Sequence, residues 1–240
     1  MSVLQVKNLA KTFRGPRREI VLKDIHLELR AGDVYCLVGA NGCGKTTLLR
    51  TLLGIYPADA GEVLFWGSSF GSAAKRRVGY AEERSPDFSF MNALEFLDLS
   101  LTLFGYAKSE RRERSKTALQ EVGLLEASAK RLGAYSRGME RRLALAELLS
   151  HDPELMILDE PLEGLDFEGL VIFQKIVNRF RAEGRSVMLT THLYAQMKDF
   201  ATRIGVLYKG RIREQDVARF EGLGQALARI AAEEEKGGRA

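Results

Sequence analysis

Apolar and polar residues alternate at period two in Ile25-His26-Leu27-Glu28-Leu29-Arg30, with His26, Glu28 and Arg30 sharing one face. That predicts a half-buried strand and makes His26 a solvent-facing strand residue rather than a ligand. Asp33 to Val38 is instead a near-continuous apolar run, the pattern of a strand covered on both faces of a parallel sheet. The chain then turns through glycines, and Thr46 to Leu53 reads as a helix. Gly61 to Gly67 and Arg77 to Ala81 read as short strands. From Phe88 to about Leu132 the period changes. Leu94, Leu97, Leu101 and Phe104 recur at helical spacing, and Leu119, Val122 and Leu125 follow in a second helical stretch.

Strand character returns at Leu155-Met156-Ile157-Leu158 and at Ser186 to Thr191, with an amphipathic helix from Gly169 to Ala182 between them. Ile204 to Leu207 and Gly210 to Arg213 suggest a terminal hairpin. Gln225 to Lys236 reads as a helix that dissolves into a polar tail. Strands alternating with helices predict an α/β fold with a mostly parallel sheet and helices on both faces. Ligands in such sheets bind beyond the carboxyl ends of the strands. The glycine loop after Val38, the pair Asp159-Glu160 and His192 all fall at such ends, which points to one shared site.

With 240 residues, 45% of them hydrophobic, the chain can form one large core carrying a smaller insert. Lys plus Arg number 36 against 32 Asp plus Glu, a formal charge of +4, and the pI is near 9.1. That balance permits nucleic-acid or membrane-surface contact without requiring it, and a mixed solvated surface is the plainer reading. The most charged run, Lys108 to Lys116, interleaves Glu110 and Glu113 with its cations and suits an exposed helix. Cys36 and Cys43 have no metal-like spacing and make no disulfide framework, which fits a reducing cytosol. Met1 to Lys7 lacks a charged start followed by an apolar stretch, so no signal peptide is expected. The longest apolar region, Ala93 to Phe104, is broken by Glu95 and Asp98 and is too short to span a bilayer. If the protein works at a membrane, another chain must cross it.

The loop Gly39-Ala40-Asn41-Gly42-Cys43-Gly44-Lys45-Thr46-Thr47 fits G-x-x-x-x-G-K-[ST] at Gly39, Gly44, Lys45 and Thr46. Glycines let backbone N–H groups close around phosphate oxygens, and the following helix presents its positive end to them. Lys45 can neutralise β- and γ-phosphates, and the Thr46 hydroxyl can ligate Mg2+. An ordinary tight turn would leave Lys45 unexplained. At the end of the strand Leu155 to Leu158, Asp159 can hold Mg2+ through water, and Glu160 can orient or deprotonate an attacking water. A helix cap is the competing reading for that pair, and it weakens beside a phosphate loop.

These motifs, in this order, resemble the nucleotide-binding subunit of an ABC transporter over almost the whole chain, roughly Val3 to Arg213. Walker A is Gly39 to Thr47, and Walker B is Leu155 to Glu160, with Glu160 in the catalytic glutamate position. Tyr135-Ser136-Arg137-Gly138-Met139 stands where the family has L-S-G-G-Q. Glu163-Gly164-Leu165-Asp166 resembles the D-loop, and Thr191-His192 the switch histidine. Phe13 lies where the family has an aromatic that stacks on adenine, although a lone aromatic near a strand is more often core.

The resemblance implies a P-loop NTPase core with an N-terminal antiparallel β subdomain and an inserted α-helical subdomain. It implies an ATPase domain over residues 1–215, its helical subdomain at about 84–135, and a helical tail over 216–240, itself read as a surface helix. It implies ATP and Mg2+ as cofactors. Glu160, His192 and Lys45 would be catalytic, and Thr46, Glu83 and Asp159 would be metal ligands. Phe13, Gly39, Asn41, Gly42, Cys43, Gly44, Lys45, Thr46, Thr47, Ser136, Gly138 and Asp166 would contact nucleotide. Ser136 and Gly138, at a helix start, would meet the γ-phosphate on an opposite subunit in a head-to-tail homodimer or heterodimer. The expected partner is an integral-membrane permease at the cytoplasmic face, with no nucleic acid.

The chain departs from the family pattern at several places. Glu83 occupies the usual glutamine position, on a gap-free reading from Tyr80 to Ala93 that prefers it over Glu82. Arg137 replaces the first signature glycine and is tolerable if its side chain points away from nucleotide. Met139 replaces the signature glutamine, Glu163 a small D-loop residue and Phe167 the usual proline. Glu83 and the Ser-Arg-Gly-Met signature resemble exporter-type subunits. The insert is expected to form the groove that receives a permease helix, with Phe88, Phe90, Met91 and Phe96 giving it exposed apolar surface, although some of them must be insert core. A soluble ABC-type ATPase acting on nucleic acid or ribosomes is the second reading, but such relatives carry two ATPase domains or a long coiled coil. A P-loop kinase or GTPase has no use for Ser136-Arg137-Gly138 and His192.

Overall fold

The computed structural model describes residues 1–14, 18–82, 88–192, 196–197 and 199–237. The long strands β1 (Ser2–Arg14) and β2 (Arg18–Arg30) pair antiparallel. With β3 (Val34–Val38) leaving for a second sheet, β4 (Ala60–Phe65) pairs on the free edge of β1, and the first sheet has the order β2-β1-β4. The second sheet holds β3, β5 (Val78–Ala81), β6 (Leu155–Leu158), β7 (Ser186–Thr191), β8 (Arg203–Tyr208) and β9 (Arg211–Gln215) in the order β5-β6-β7-β3-β8-β9. All its pairings are parallel except the β8–β9 hairpin.

Period two divides the side chains of the central strands between two cores. Val34, Cys36 and Val38 of β3, Met156 and Leu158 of β6, and Val187 and Leu189 of β7 face one. Tyr35, Leu37, Leu155, Ile157 and Met188 face the other. A strand covered on both sides has no polar face to show, which is why these segments read as continuous apolar runs. The second core holds α1 (Lys45–Leu52), whose Leu48, Leu49 and Leu52 lie between the parallel sheet and the antiparallel one. Each fully buried leucine contributes about 2 kcal/mol of transfer free energy, so α1 is fixed firmly enough for its first turn to hold a precise shape.

After α2 (Ser72–Arg77), the first core gathers α3 (Ala93–Leu103), α4 (Lys108–Glu121), α5 (Arg137–Ser150), α6 (Phe167–Ala182) and α7 (Leu223–Gly237). Asn92 and Glu95 form a reciprocal capping box that starts α3. Phe220, Ala226 and Ile230 are buried in the same core, so the inner face of α7 is used within this chain.

Two local expectations change. Arg77 closes α2 instead of opening β5. The segment Ser-Ala-Ala-Lys-Arg-Arg buries only Ala74, too little to show a period. α6 begins at Phe167 rather than Gly169, because the Asp166 carboxylate accepts the Gly169 N–H at 2.7 Å and caps the helix. The insert's apolar residues divide between core and surface, as expected. Phe96 is buried, Phe88 packs on it with ring centroids 5.2 Å apart, and Phe90 alone of the four is open, at 62%. His26 is exposed as expected, with Asp24 Oδ1 2.9 Å from its Nε2.

Candidate functional site

Strands β6, β7 and β3 are neighbours in the sheet. Their carboxyl ends carry Asp159-Glu160, His192 and the loop from Gly39, and sheet order alone brings these together.

The loop is shaped by close approach and by left-handed backbone. A Cβ on Gly39 would meet Cys43 Sγ at 2.5 Å and the Leu207 carbonyl at 3.0 Å. Gly44 sits at φ +107, and a Cβ there would meet Val21 Cγ1 at 2.7 Å, so only glycine fits. Asn41 and Gly42 are exposed on the loop's outer side, and Cys43 is half-buried, with burial raising its thiol pKa. Gly44 is the N-cap of α1 and offers no side chain to it. The first-turn N–H groups of Lys45, Thr46 and Thr47 therefore meet no cap, the form of a helix start that takes an anion.

Lys45 is buried, and its ammonium donates to the carbonyls of Gly39 at 2.9 Å and Ala40 at 3.4 Å. Its third neighbour is Glu160 Oε1 at 3.1 Å. The other carboxylate oxygen of Glu160 accepts the His192 backbone N–H at 3.2 Å and faces its ring Nδ1 at 3.1 Å. Glu160 adopts φ +49, a left-handed conformation rare for a side chain of this kind. That turn ends β6 and aims the carboxylate between Lys45 and His192, at a backbone cost of about 1–2 kcal/mol.

Asp159 is buried beside it. Its Oδ2 accepts from the Thr46 hydroxyl at 2.6 Å and its Oδ1 from the Thr190 hydroxyl at 2.6 Å. Thr190 Oγ1 also accepts the Glu160 N–H at 3.0 Å, so one threonine holds both acidic residues. Thr46 and Asp159 present hard oxygens side by side, the donor type Mg2+ takes from a protein while it keeps most of its water. Among the described residues no three His, Cys, Asp or Glu side chains gather as a dedicated metal cluster. Glu83, the expected third metal ligand, lies outside the described residues.

The signature residues form a second, separate corner. Ser136 is the N-cap of α5, and its hydroxyl accepts the Met139 N–H at 3.3 Å. Ser136 and Arg137 are exposed, while Gly138 is buried. A Cβ on Gly138 would lie 3.3 Å from Asp166 Oδ2. Asp166 thus sits behind the signature helix as a cap of α6. No hydrogen bond or ion pair joins Ser136, Gly138 or Asp166 to the Gly39–Thr47 loop among the described residues. Phe13, near the end of β1, is 37% exposed, with the Tyr56 ring packed against it in a T shape.

Sequence reasoning missed two residues that hold this arrangement. Thr190 left a trace as a polar residue at the end of an apolar strand. Arg141 donates to the carbonyls of Glu163 at 3.0 Å and Glu82 at 3.4 Å, tying α5 to the loops after β6 and β5. It left no trace, since only the fold brings those carbonyls together.

The sequence profile of the ABC transporter family matches residues 22–163. An uncharacterised ABC transporter ATP-binding protein of Synechocystis is 36% identical, over 80% of this chain and 55% of its own length. This chain therefore spans little more than half of that relative. A lantibiotic transport ATP-binding protein of Streptococcus pyogenes is 30% identical, over 88% of this chain and 89% of its own. A solved dimeric ATP-binding cassette in a post-hydrolysis state with ADP and Pi superimposes with a TM-score of 0.81 at 26% identity, covering 90% of this chain and all of that one.

Proposed function

The chain belongs to the ABC transporter family, and on that premise we propose that it is an ATP-hydrolysing subunit that drives a membrane transporter through head-to-tail pairing of two nucleotide-binding chains. The observation that carries this is the junction at the ends of β6, β7 and β3, where a buried cation, a buried base and a hydroxyl–carboxylate pair stand around a phosphate-shaped loop. ATP phosphates rest on Gly39 to Thr47, and Lys45 turns from Glu160 to the β- and γ-oxygens. Bound Mg2+ supplies positive charge to those oxygens, with Thr46 and Asp159 to hold it and Glu83 as the expected further ligand. Released from Lys45, Glu160 accepts the proton of the attacking water, and His192 keeps its carboxylate in place.

Ser136 and Gly138 of a second copy or a close relative close the site over the γ-phosphate. Their exposure at an open helix start supports that pairing, as does the dimeric state named for the superimposed cassette. We divide the chain into an ATPase domain over 1–215, with its helical subdomain at about 84–135, and a tail over 216–240. No helix among the described residues is long and apolar enough to cross a membrane, so the permease is a separate segment or chain, met at the cytoplasmic face. Exposed Phe90 supports the helical layer as its docking side. The Ser136-Arg137-Gly138-Met139 signature favours export.

Glu160→Gln tests the enzymatic part. ATP turnover, measured with the permease or in purified chain, falls about 10²- to 10⁴-fold if Glu160 is the base. Turnover equal to the unaltered protein overturns the assignment. For the partner, the Glu160→Gln chain pulled from membranes with ATP brings an integral-membrane protein with it, and recovery of none contradicts the transporter reading.

A further inference from the structure

We propose that Tyr56, tethered by Arg50, is the positioning residue that holds Phe13 as a platform for the base of the nucleotide. The inference rests on the nucleotide-binding reading above and adds a specificity element to it. The Tyr56 and Phe13 rings pack T-shaped, with centroids 5.5 Å apart and planes at 88°. Arg50, from the last turn of α1, donates through Nη1 to the Tyr56 hydroxyl at 2.9 Å and lies 5.7 Å from the ring centroid. The Arg50 guanidinium is in turn held by Glu82 at 3.4 Å, at the end of β5.

The strand side is fixed as firmly. Lys11 stands 5.3 Å from the centroid of Phe13 over its ring, and its ammonium donates to the Pro57 carbonyl at 2.7 Å. The Thr12 N–H donates to Asp59 Oδ2 at 2.6 Å, and the Asp59 N–H to the Ala10 carbonyl at 2.9 Å. The end of β1 and the loop after α1 are thus stitched together around one pair of rings. Tyr56 and Lys11 both brace the Phe13 ring, and its 37% exposure leaves surface for a flat aromatic ligand.

Because α1 also carries Lys45 and Thr46, Arg50 sets the platform relative to the phosphate loop through a single rigid helix. A base stacked on Phe13 then lies at a fixed offset from its own phosphates. A ligand with phosphates and no base gains nothing from this geometry.

The test compares two ligands, ATP and inorganic tripolyphosphate, each displacing a fluorescent nucleotide analogue from the full chain. Tyr56→Ala raises the ATP dissociation constant about fivefold, the middle of the range for an edge-to-face ring contact, and leaves tripolyphosphate within about twofold. Tyr56→Phe keeps the ring and loses the Arg50 tether, so its effect on ATP is intermediate and again spares tripolyphosphate. Equal weakening of both ligands means that Tyr56 merely supports the phosphate loop, and no change in either means that Phe13 needs no support. Both results overturn the proposal. An unaltered chain that binds tripolyphosphate as tightly as ATP overturns it too, while one that binds neither ligand removes the nucleotide reading itself.

Discussion

The junction around Lys45 and the start of α5 at Ser136 are built in opposite ways. At the junction every named charge is already engaged. Lys45 meets Glu160, Thr46 and Thr190 meet Asp159, and all the acidic groups are buried. At Ser136 the hydroxyl makes one local capping contact, Arg137 is exposed with no hydrogen bond or ion pair among the described residues, and the helix start faces outward. Phe167, at the nearby start of α6, is 82% exposed. A buried charge without a partner costs several kcal/mol, so one chain must satisfy its own junction. The α5 corner lies in water and can remain unfinished at little cost. On the proposed pairing, the closed half of the site belongs to the chain and the open half is offered to another.

The comparison breaks first at Ser136. Aspartate caps a helix as well as serine, yet it would carry negative charge to the γ-phosphate of the opposite chain. Ser136→Asp should therefore leave the melting temperature unchanged and reduce ATP turnover on the order of 10²-fold. A normal turnover rate would mean that this corner meets no phosphate. The junction should respond in the reverse sense. Thr190→Val removes a donor to Asp159 and an acceptor for the Glu160 N–H inside the protein. Denaturant unfolding should show a loss of about 2 kcal/mol, with urea m-values unchanged. A stability unaltered by Thr190→Val would show that the junction is held by something else.

Much of the junction was legible in the sequence because its residues stand at the ends of strands with an unmistakable pattern. β6 and β7 have the bounds that their apolar runs predict, and a glycine loop between strand and helix has few other uses. What stayed hidden depends on tertiary neighbours. Thr190 holds two residues about thirty positions away, and Tyr56 serves a ring at the end of β1. Neither has a motif, since its meaning lies in what the fold sets beside it. Phe88, Phe90, Met91 and Phe96 of the insert show the same limit. The sequence could say that some are core and some exposed but not which, and packing buried Phe96, half-buried Phe88 and left Phe90 open. The role of Asp166 was legible only as to type, because a carboxylate before a helix reads as a cap as readily as a ligand, and in the structure it caps α6.

The central claim is that the open corner of one chain completes the closed junction of another. Mixing two defective chains tests it most directly. Lys45→Ala has no working junction but an intact α5 corner, and Ser136→Asp has the converse. Each alone should be inactive in ATP hydrolysis. Mixed in equal amounts, they should regain activity, because the mixed pair contains one junction with Lys45 facing one corner with Ser136. A mixture no more active than the sum of its parts would contradict the account.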